Sequence, residues 1–464
     1  MRTAFVVIFI TMFFGIAIAQ PQPPDTLWTY TYSSSINDAA YSIARVPNGG
    51  FMIGGEGRAP DSTDGGLLLR LNDDGQELWL HRIAPFYRIG AVFPATDGRY
   101  ILTGESNVPS CVALAKVDSN GEVQWSTCIS DPYSEPGMSI AEGIDGRIAV
   151  LIVGDAIPSS YLRLACLTAD GDSLWVQSFG SPGIYKGGAV VSTSEGGFLT
   201  VASENYQAYI AKTDGEGIVQ WNNSFGAGNL AERLNAVNET ADGDFIVAGT
   251  QTRDAFTFNP YAARTDSSGD TLWTRAYPQL GPAFFYSVVE VDDGSILFGG
   301  STGGSFLLAA CDPNGYLIWS GLYGTPQQED CRGMCLDSEG GAVMAGYKAT
   351  IAEHSEDIWV IRTASVLRTE HEHYTPVSRS ILLSSFPNPF NAVTRVEFEI
   401  PRTSRVTIRA HDILGREVGT ITDDMFAIGQ HSVSWQCADC ASGVYFIAMT
   451  GDGFHLVRKA ILLR

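Results

Sequence analysis

Positive charge is scarce in this chain. Its 464 residues carry 29 lysines and arginines against 51 aspartates and glutamates, a net charge of −22. Residues 385–464 hold eight of each sign, so the shortage of cations lies in the region before them. Such a field repels nucleic acid and anionic membrane surfaces. Two readings of the acidity stay open: solubility of an exported protein, and attraction of cations or a basic partner. Long apolar runs are missing too. Beyond Ala4 to Ala19, no segment could span a bilayer as a helix. Metal-ligand spacing is equally thin. Cys437-Ala-Asp-Cys440 has no second pair and no helix start, and His371-Glu372-His373 stands alone in a polar stretch. No metal, no cofactor and no catalytic residue are expected.

The apolar run near the start ends in Ala17-Ile18-Ala19 before Gln20 and a proline-rich segment. It predicts a secretory signal over residues 1–19, with an uncleaved anchor as the alternative.

Glycine is abundant, 50 residues, and much of it falls in two recurring phrases. One reads NDDGQELW at 72–79, DSNGEVQW at 118–125, TADGDSLW at 168–175, TDGEGIVQW at 213–221, DSSGDTLW at 266–273 and DPNGYLIW at 312–319. Its tryptophans, Trp79, Trp125, Trp175, Trp221, Trp273 and Trp319, are 46 to 52 residues apart, a period that belongs to propeller arrays. An Asp opening the turn and a left-handed Gly at its fourth position make each phrase a hairpin tip. The second phrase sets seven further tips at Gly49, Gly98, Gly146, Gly196, Gly243, Gly294 and Gly340. Each unit thus holds four antiparallel strands, the content of one propeller blade. The seventh unit lacks a Trp strand. Its counterpart is DTLWTYTY at 25–32, which reads like DTLWTRAY at 270–277. The pattern therefore predicts an all-β, seven-bladed β-propeller over 20–364, closed by the N-terminal strand. The regular tryptophans are expected to pack against neighbouring blades; sugar stacking would need exposed, less regular rings.

Both glycine tips of a blade fall on one end of the ring, so the longer connections share the other. That end collects Phe86, Tyr87, Tyr133, Tyr185, Tyr206, Phe256, Phe258, Tyr261, Phe284 and Phe285, the candidate binding residues. The competing reading is that these rings pack the loops. Among the cysteines, Cys111 and Cys128 are equidistant from the tip at Ser119 and Asn120, which predicts a cross-strand disulfide. Cys437 and Cys440 read as a loop disulfide or as free thiols. Cys331 and Cys335 are too far apart along one strand to bond, and Cys166 and Cys311 read as core. A polar linker is expected over 365–384, and alternating strands over 385–464 predict a small C-terminal β-sandwich.

Those last 80 residues resemble the C-terminal sorting domain of type IX (Por) secretion cargo. The resemblance is carried by Pro387-Asn388-Pro389-Phe390-Asn391, Ile400-Pro401, Asp412 to Val418 with Gly415-Arg416, Gly429-Gln430-His431, Trp435, Ser442-Gly443-Val444-Tyr445-Phe446 and Arg458-Lys459. It implies passage through the periplasm, handling by the outer-membrane translocon, and release or attachment at the cell surface. The Cys437/Cys440 pair departs from the usual pattern. The repeats are similar to secreted DGGxxxxG proteins and, more loosely, to quinoprotein-type propellers. The chain lacks the Thr before the Gly and the adjacent cysteine pair of the latter, which disfavours a quinone dehydrogenase. Three functions remain: a non-enzymatic secreted or surface protein binding a glycan or protein, a carbohydrate-active hydrolase or lyase with acids on the loop end, and a purely structural cargo.

Overall fold

The structure, a computed structural model, describes residues 22–366 apart from 35–36, 59–63, 108–109, 130–138, 155–159, 184, 227–229, 255–256, 326–327 and 351–354. It also describes 383–463 apart from 387–389, 392, 401–403, 413–415, 428, 438–439 and 452–453. The expected signal and most of the expected linker, with its HEH motif, lie outside the described residues. Strands and one 3₁₀ turn, Pro278–Leu280, make up the secondary structure among them.

Seven four-stranded antiparallel sheets follow one another between residues 26 and 365. Six use consecutive strands, as in Asp38–Arg45, Phe51–Arg58, Asp64–Leu71 and Glu77–Ile83. The seventh takes Gln328–Leu336, Gly341–Thr350 and Ser355–Ser365, and its fourth strand is Thr26–Tyr32, with Trp28 opposite Arg362 and Tyr32 opposite Ile358. The first strand of each sheet packs on the sheet before it, and Asp38–Arg45 packs on three strands of the seventh sheet. One apolar cluster joins Ile43, Phe51 and Leu69 of the first sheet to Val343 and Val360 of the seventh. Middle strands are covered on both faces: every residue of Ile148–Gly154 and of Phe306–Cys311 is buried. Continuous apolar runs, not alternation, are the sequence consequence.

The hairpin tips follow from local hydrogen bonding. Asp118 Oδ1 accepts from the backbone N–H groups of Asn120 (2.8 Å) and Glu122 (3.0 Å), and Gly121 N–H closes the turn onto the Asp118 carbonyl (3.0 Å) with φ +81°. Asp214, Asp266 and Asp312 repeat the pattern. Each glycine of the Trp-bearing phrase meets a second demand from outside its own sheet. A methyl group on Gly75, Gly171 or Gly217 would lie 2.7 Å from the ring of Trp28, Trp125 or Trp175, which belong to the seventh, second and third sheets and not to the glycine's own. Trp79, Trp221 and Trp273 cover Gly121, Gly269 and Gly315 in the same way. The indole N–H groups of Trp28, Trp125 and Trp273 donate to the carbonyls of Asp73, Ala169 and Pro313, the second residue of the covered tip (3.0, 3.1 and 3.1 Å).

The turn also corrects the cysteine register. A bulge between Lys116 and Val117 shifts the pairing so that Cys128 stands opposite Ala113. Cys111 is therefore diagonal to Cys128, not directly across. The two are disulfide-bonded with Cα atoms 5.9 Å apart, and Cys437 is bonded to Cys440 at 5.4 Å. Cys166, Cys311, Cys331 and Cys335 are free.

A second compact unit, beginning beyond residue 368, holds a three-stranded and a four-stranded antiparallel sheet. Phe390, Phe398, Trp435, Tyr445, Ile447 and Leu462 form its core.

Gly98 and Gly171 separate the two demands on tip glycines. Both have positive φ, 81° and 88°, but a Cβ on Gly98 meets nothing within 4 Å. Gly98→Ala is expected to lose about 1–2 kcal/mol from backbone strain alone. Gly171→Ala should lose a further ~1–3 kcal/mol from overpacking against Trp125. Urea denaturation of both variants checks this, and equal losses would contradict the docking role of Trp125.

Candidate functional site

The two ends of the sheets differ in how their polar groups are used. At the glycine-tip end, Arg70, Lys116, Lys212, Arg264 and Arg362 stand cross-strand from Trp79, Trp125, Trp221, Trp273 and Trp28. All five are buried. Lys116 pairs with Asp97 (2.8 Å), Arg264 with Asp242 (2.7 Å) and Asp244 (2.8 Å), and Arg362 with Asp337 (2.5 Å) and Glu339 (2.7 Å). Lys116, Arg264 and Arg362 also reach the carbonyls of Ala169, Pro313 and Asp73 that take the indole N–H groups. Those three cations therefore hold sheet to sheet, while Arg70 bonds to the Gly49 and Phe51 carbonyls and Lys212 to Glu195 within their own sheets, so the capacity of all five is used internally. The signal was present in sequence: a Lys or Arg two residues before the turn, inside an apolar strand such as GLLLRL or CVALAKV. The third and sixth sheets depart from the rule, the sixth with Ala310 opposite Trp319. In the third, Cys166 stands opposite Trp175, no cation is there, and the Trp175 indole N–H has no partner among the described residues. Arg147 instead reaches Glu216 of the next sheet (2.8 Å) beside a shallow, open pocket.

At the other end, side chains are aimed by β-bulges. The first strands of six sheets carry one, and five of these place Tyr41, Gly90, Asn235, Tyr286 and Arg332 at the extra position; the sixth spans Gly187 and Gly188. A bulge adds a residue without a partner and re-aims its side chain. On the second strand, Gly55, Gly104, Gly249, Gly300 and Gly346 face the bulges. There a Cβ would run into the carbonyl oxygens of Ala39, Arg88, Arg233, Phe284 and Asp330.

The re-aimed side chains connect into a half-buried belt across sheets. Arg88 lies over the Tyr41 ring, 5.0 Å from its centroid, and pairs with Glu105 at 3.4 Å. Tyr41 donates its hydroxyl to Glu56 (2.7 Å). Arg332 pairs with Asp330 (2.6 Å) and lies 4.9 Å over Tyr286, while Tyr347 donates to Asp330 (3.1 Å). Phe284 stacks on Tyr286 at 6.0 Å and touches Phe258 of the neighbouring sheet at 5.3 Å. Burial raises the Tyr41 hydroxyl well above the ordinary phenol range, and its hydrogen bond to Glu56 adds to this. Burial likewise raises Tyr286 and Tyr347. These phenols stay protonated at neutral pH and act as hydrogen-bond donors, not bases. Burial also raises the Glu356 carboxyl, helped by the charge of Glu56 and opposed by Arg332. Among the described residues, Asp330 Oδ1 and Arg332 Nε are buried without a hydrogen-bond partner.

The aromatics expected on the loop end divide. Phe258 and Phe284 are in the belt. Phe86, Tyr261 and Phe285 are buried in the cores between sheets, where Phe86 fills the space beside Gly66 and Phe285 stacks on Phe298 at 4.6 Å. These three are packing residues and not a surface. Tyr206 is exposed in a two-residue turn with Asn205, both at positive φ. Tyr87 is half-buried and its N–H donates to the Glu105 carbonyl (2.6 Å). Tyr133 and Phe256 lie outside the described residues, as does the side chain of Tyr185. The sequence reading missed Tyr41, Arg88, Arg233, Tyr286 and Arg332; the second-strand glycine is the mark that could have found the bulges.

In the C-terminal unit, Phe390 is buried beside Trp435 (5.3 Å) and Tyr445 packs on the same ring (5.7 Å) while donating to the Ala441 carbonyl (2.8 Å). Arg416 pairs with Asp412 (2.7 Å), Gly443 opens a strand, and Asn391 and Lys459 are exposed. Pro387, Asn388, Pro389 and Gly415 lie outside the described residues. Residues 384–463 match the secretion system C-terminal sorting domain. The chain is exported sorting-domain cargo, bound for the cell surface or the medium. Among the described residues no helix is long and apolar enough to cross a membrane. No curated protein matches the sequence of this cargo. Solved structures similar to it include the β-propeller domain of the Trilobed protease from Pyrococcus furiosus, at 11% identity and TM-score 0.42, covering 69% of this chain and 93% of that one. Others are polysaccharide lyase Uly1 (10%, 0.45, 70% and 89%) and the extracellular domains 1–2 of Drosophila Semaphorin 1b (9%, 0.41, 74% and 87%).

Glu356 gives the belt a pH signature. A carboxyl with a raised folded pKa loses folding stability as pH climbs from its unfolded pKa through the folded one; below both, the two states bind the proton alike. Glu356→Gln is therefore expected to melt higher than the parent at pH 7 and at the same temperature near pH ~3. Thermal melts across that range check it.

Proposed function

We propose that the seven sheets form a closed ring, a seven-bladed propeller completed by the N-terminal strand, and that this exported propeller is a binding protein. The packing of the first sheet on the seventh and the pairing of Thr26–Tyr32 with Ser355–Ser365 support closure. Closure brings the first strands of successive sheets side by side around the axis. The observation that carries the binding reading is the belt itself: bulges on several first strands aim Tyr41, Asn235, Tyr286 and Arg332 to one region, joined by Phe258, Phe284 and Arg88. Convergent polar groups around aromatic rings on a rigid frame suit ligand capture. The tyrosines are held in the neutral form, which favours binding over proton abstraction. The second reading, a secreted hydrolase or lyase acting on carbohydrate, draws on Glu356, whose carboxyl is pushed up by burial and by the charge of Glu56.

The intact chain probed against glycan and protein arrays should find a ligand whose affinity drops at least about tenfold in Phe284→Ala or Phe258→Ala, the scale of one lost aromatic contact. Leu78→Ala, at an exposed position on a Trp strand, should change nothing. Affinity untouched by both belt variants would refute the site. Product release that stops in Glu356→Gln would favour the enzyme. Removing 384–464 should leave the protein in the periplasm, scored by cell fractionation; unchanged delivery would contradict the sorting role.

A further inference from the structure

The arginines of the belt are not equivalent. Arg88 is paired with Glu105 and Arg332 with Asp330. Arg233 is exposed and has no ion pair among the described residues. It stands on the first strand of the fifth sheet opposite Thr250, and Phe258 stands opposite Thr252 of the same middle strand. Strand periodicity puts Thr250 and Thr252, and hence Arg233 and Phe258, on one face of the sheet. The guanidinium occupies room left by Gly187 of the fourth sheet, where a Cβ would sit 3.0 Å from its Nε. Its charge also reaches Tyr286. Beside it runs the strip Phe258, Phe284, Tyr286, with centroids 5.3 and 6.0 Å apart and all three rings half-buried.

Each part of this arc restricts the ligand. Half-buried rings in a row present flat apolar faces, which fit the C–H faces of successive sugars better than the flexible stems of an acidic peptide. An unpaired guanidinium offers parallel N–H groups in the geometry of a carboxylate. With 51 acidic and 29 basic residues in the chain, carboxylates to neutralise an exposed arginine are plentiful, yet among the described residues none is placed at Arg233.

Resting on the belt as the binding surface, we propose that the arc of Arg233, Phe258, Phe284 and Tyr286 binds a linear carbohydrate bearing carboxylates, its sugars on the rings and one carboxylate on Arg233. The test titrates the intact chain, Arg233→Gln and Phe284→Ala with oligogalacturonate, oligoalginate and hyaluronan oligosaccharides. Each is compared with its methyl ester, which keeps the sugar and removes the charge, and poly-glutamate serves as the peptide probe. Arg233 is exposed, so its variant should fold as the parent does. At least one free acid should bind the parent about tenfold or more tighter than its ester, the scale of a charge-assisted hydrogen bond. Arg233→Gln should abolish that preference, while Phe284→Ala weakens acid and ester alike. Equal binding of acid and ester, or a preference that survives in Arg233→Gln, overturns the acidic class, and the belt reading then stands on the loss in Phe284→Ala. Binding of poly-glutamate alone replaces the carbohydrate by a peptide. Failure of every uronate overturns the proposal, and Phe284→Ala tested on the array ligand still judges the belt separately.

Discussion

An indole ring lying on a left-handed glycine of the next sheet is the contact on which the larger unit depends. It asks two things of one residue: a positive φ, which other residues adopt at about 1–2 kcal/mol, and no Cβ, because the ring occupies its place. Since ring and glycine belong to different sheets, satisfying both fixes the distance and angle between neighbours. The covered tip adds a polar lock. At three junctions the second carbonyl of the tip takes a hydrogen bond from the indole and a second contact from a buried Lys or Arg: Trp28 and Arg362 on Asp73, Trp125 and Lys116 on Ala169, Trp273 and Arg264 on Pro313. Where the third sheet replaces that cation with Cys166, the indole N–H of Trp175 goes unpaired. The two halves of the lock are lost together.

This arrangement divides the labour between the ends of the sheets. Buried cations are tolerable at the tip end because each has a carboxylate or carbonyl partner; removing one partner would leave a charge in a poorly solvated place, a loss on the order of 3–5 kcal/mol. The five buried cations of that end are therefore all engaged. The opposite end keeps polar groups incompletely matched: Asp330 and Arg332 each hold a buried atom without a partner, and Glu356 shares its surroundings with Glu56. Rigidity at one end makes such incompletely satisfied groups sustainable at the other, the usual relation between a scaffold and the site it carries.

How much of this was legible follows from the range of each interaction. Tips, strands and the Trp–Gly pairing repeat at a fixed period and rest on local turn chemistry, so the phrases from Asn72 to Trp319 announce them. The N-terminal strand was legible because it repeats a phrase found elsewhere with its first three strands missing. The belt was not, for a specific reason. Phe284 and Phe285 are adjacent and equally aromatic, yet one faces the belt and the other is fully buried. Strand parity decides between them, and a one-residue bulge at Tyr286 resets that parity. Tyr261 misled by strand parity too, whereas Phe86 lies in the connection between Ile83 and Arg88 and turns its ring into the core beside Gly66. The diagonal placement of Cys111 and Cys128 is the same effect at a hairpin, where the extra residue moved the register.

The scarcity of cations that opens the sequence then bears on recognition. A protein this acidic opposes an anionic ligand at long range, but salt screens fields between exposed charges beyond about 8 Å at physiological ionic strength. A contact at hydrogen-bond distance is barely screened. The far field therefore governs how fast a carboxylate approaches, and the local guanidinium governs whether it stays. Of the three belt arginines, two already have their carboxylates, so the local preference rests on Arg233 and on the room that Gly187 leaves for it. A Cβ at position 187 would meet the Leu234 carbonyl oxygen at 2.6 Å and Arg233 Nε at 3.0 Å, so one glycine serves both the packing of the two sheets and the room for the cation.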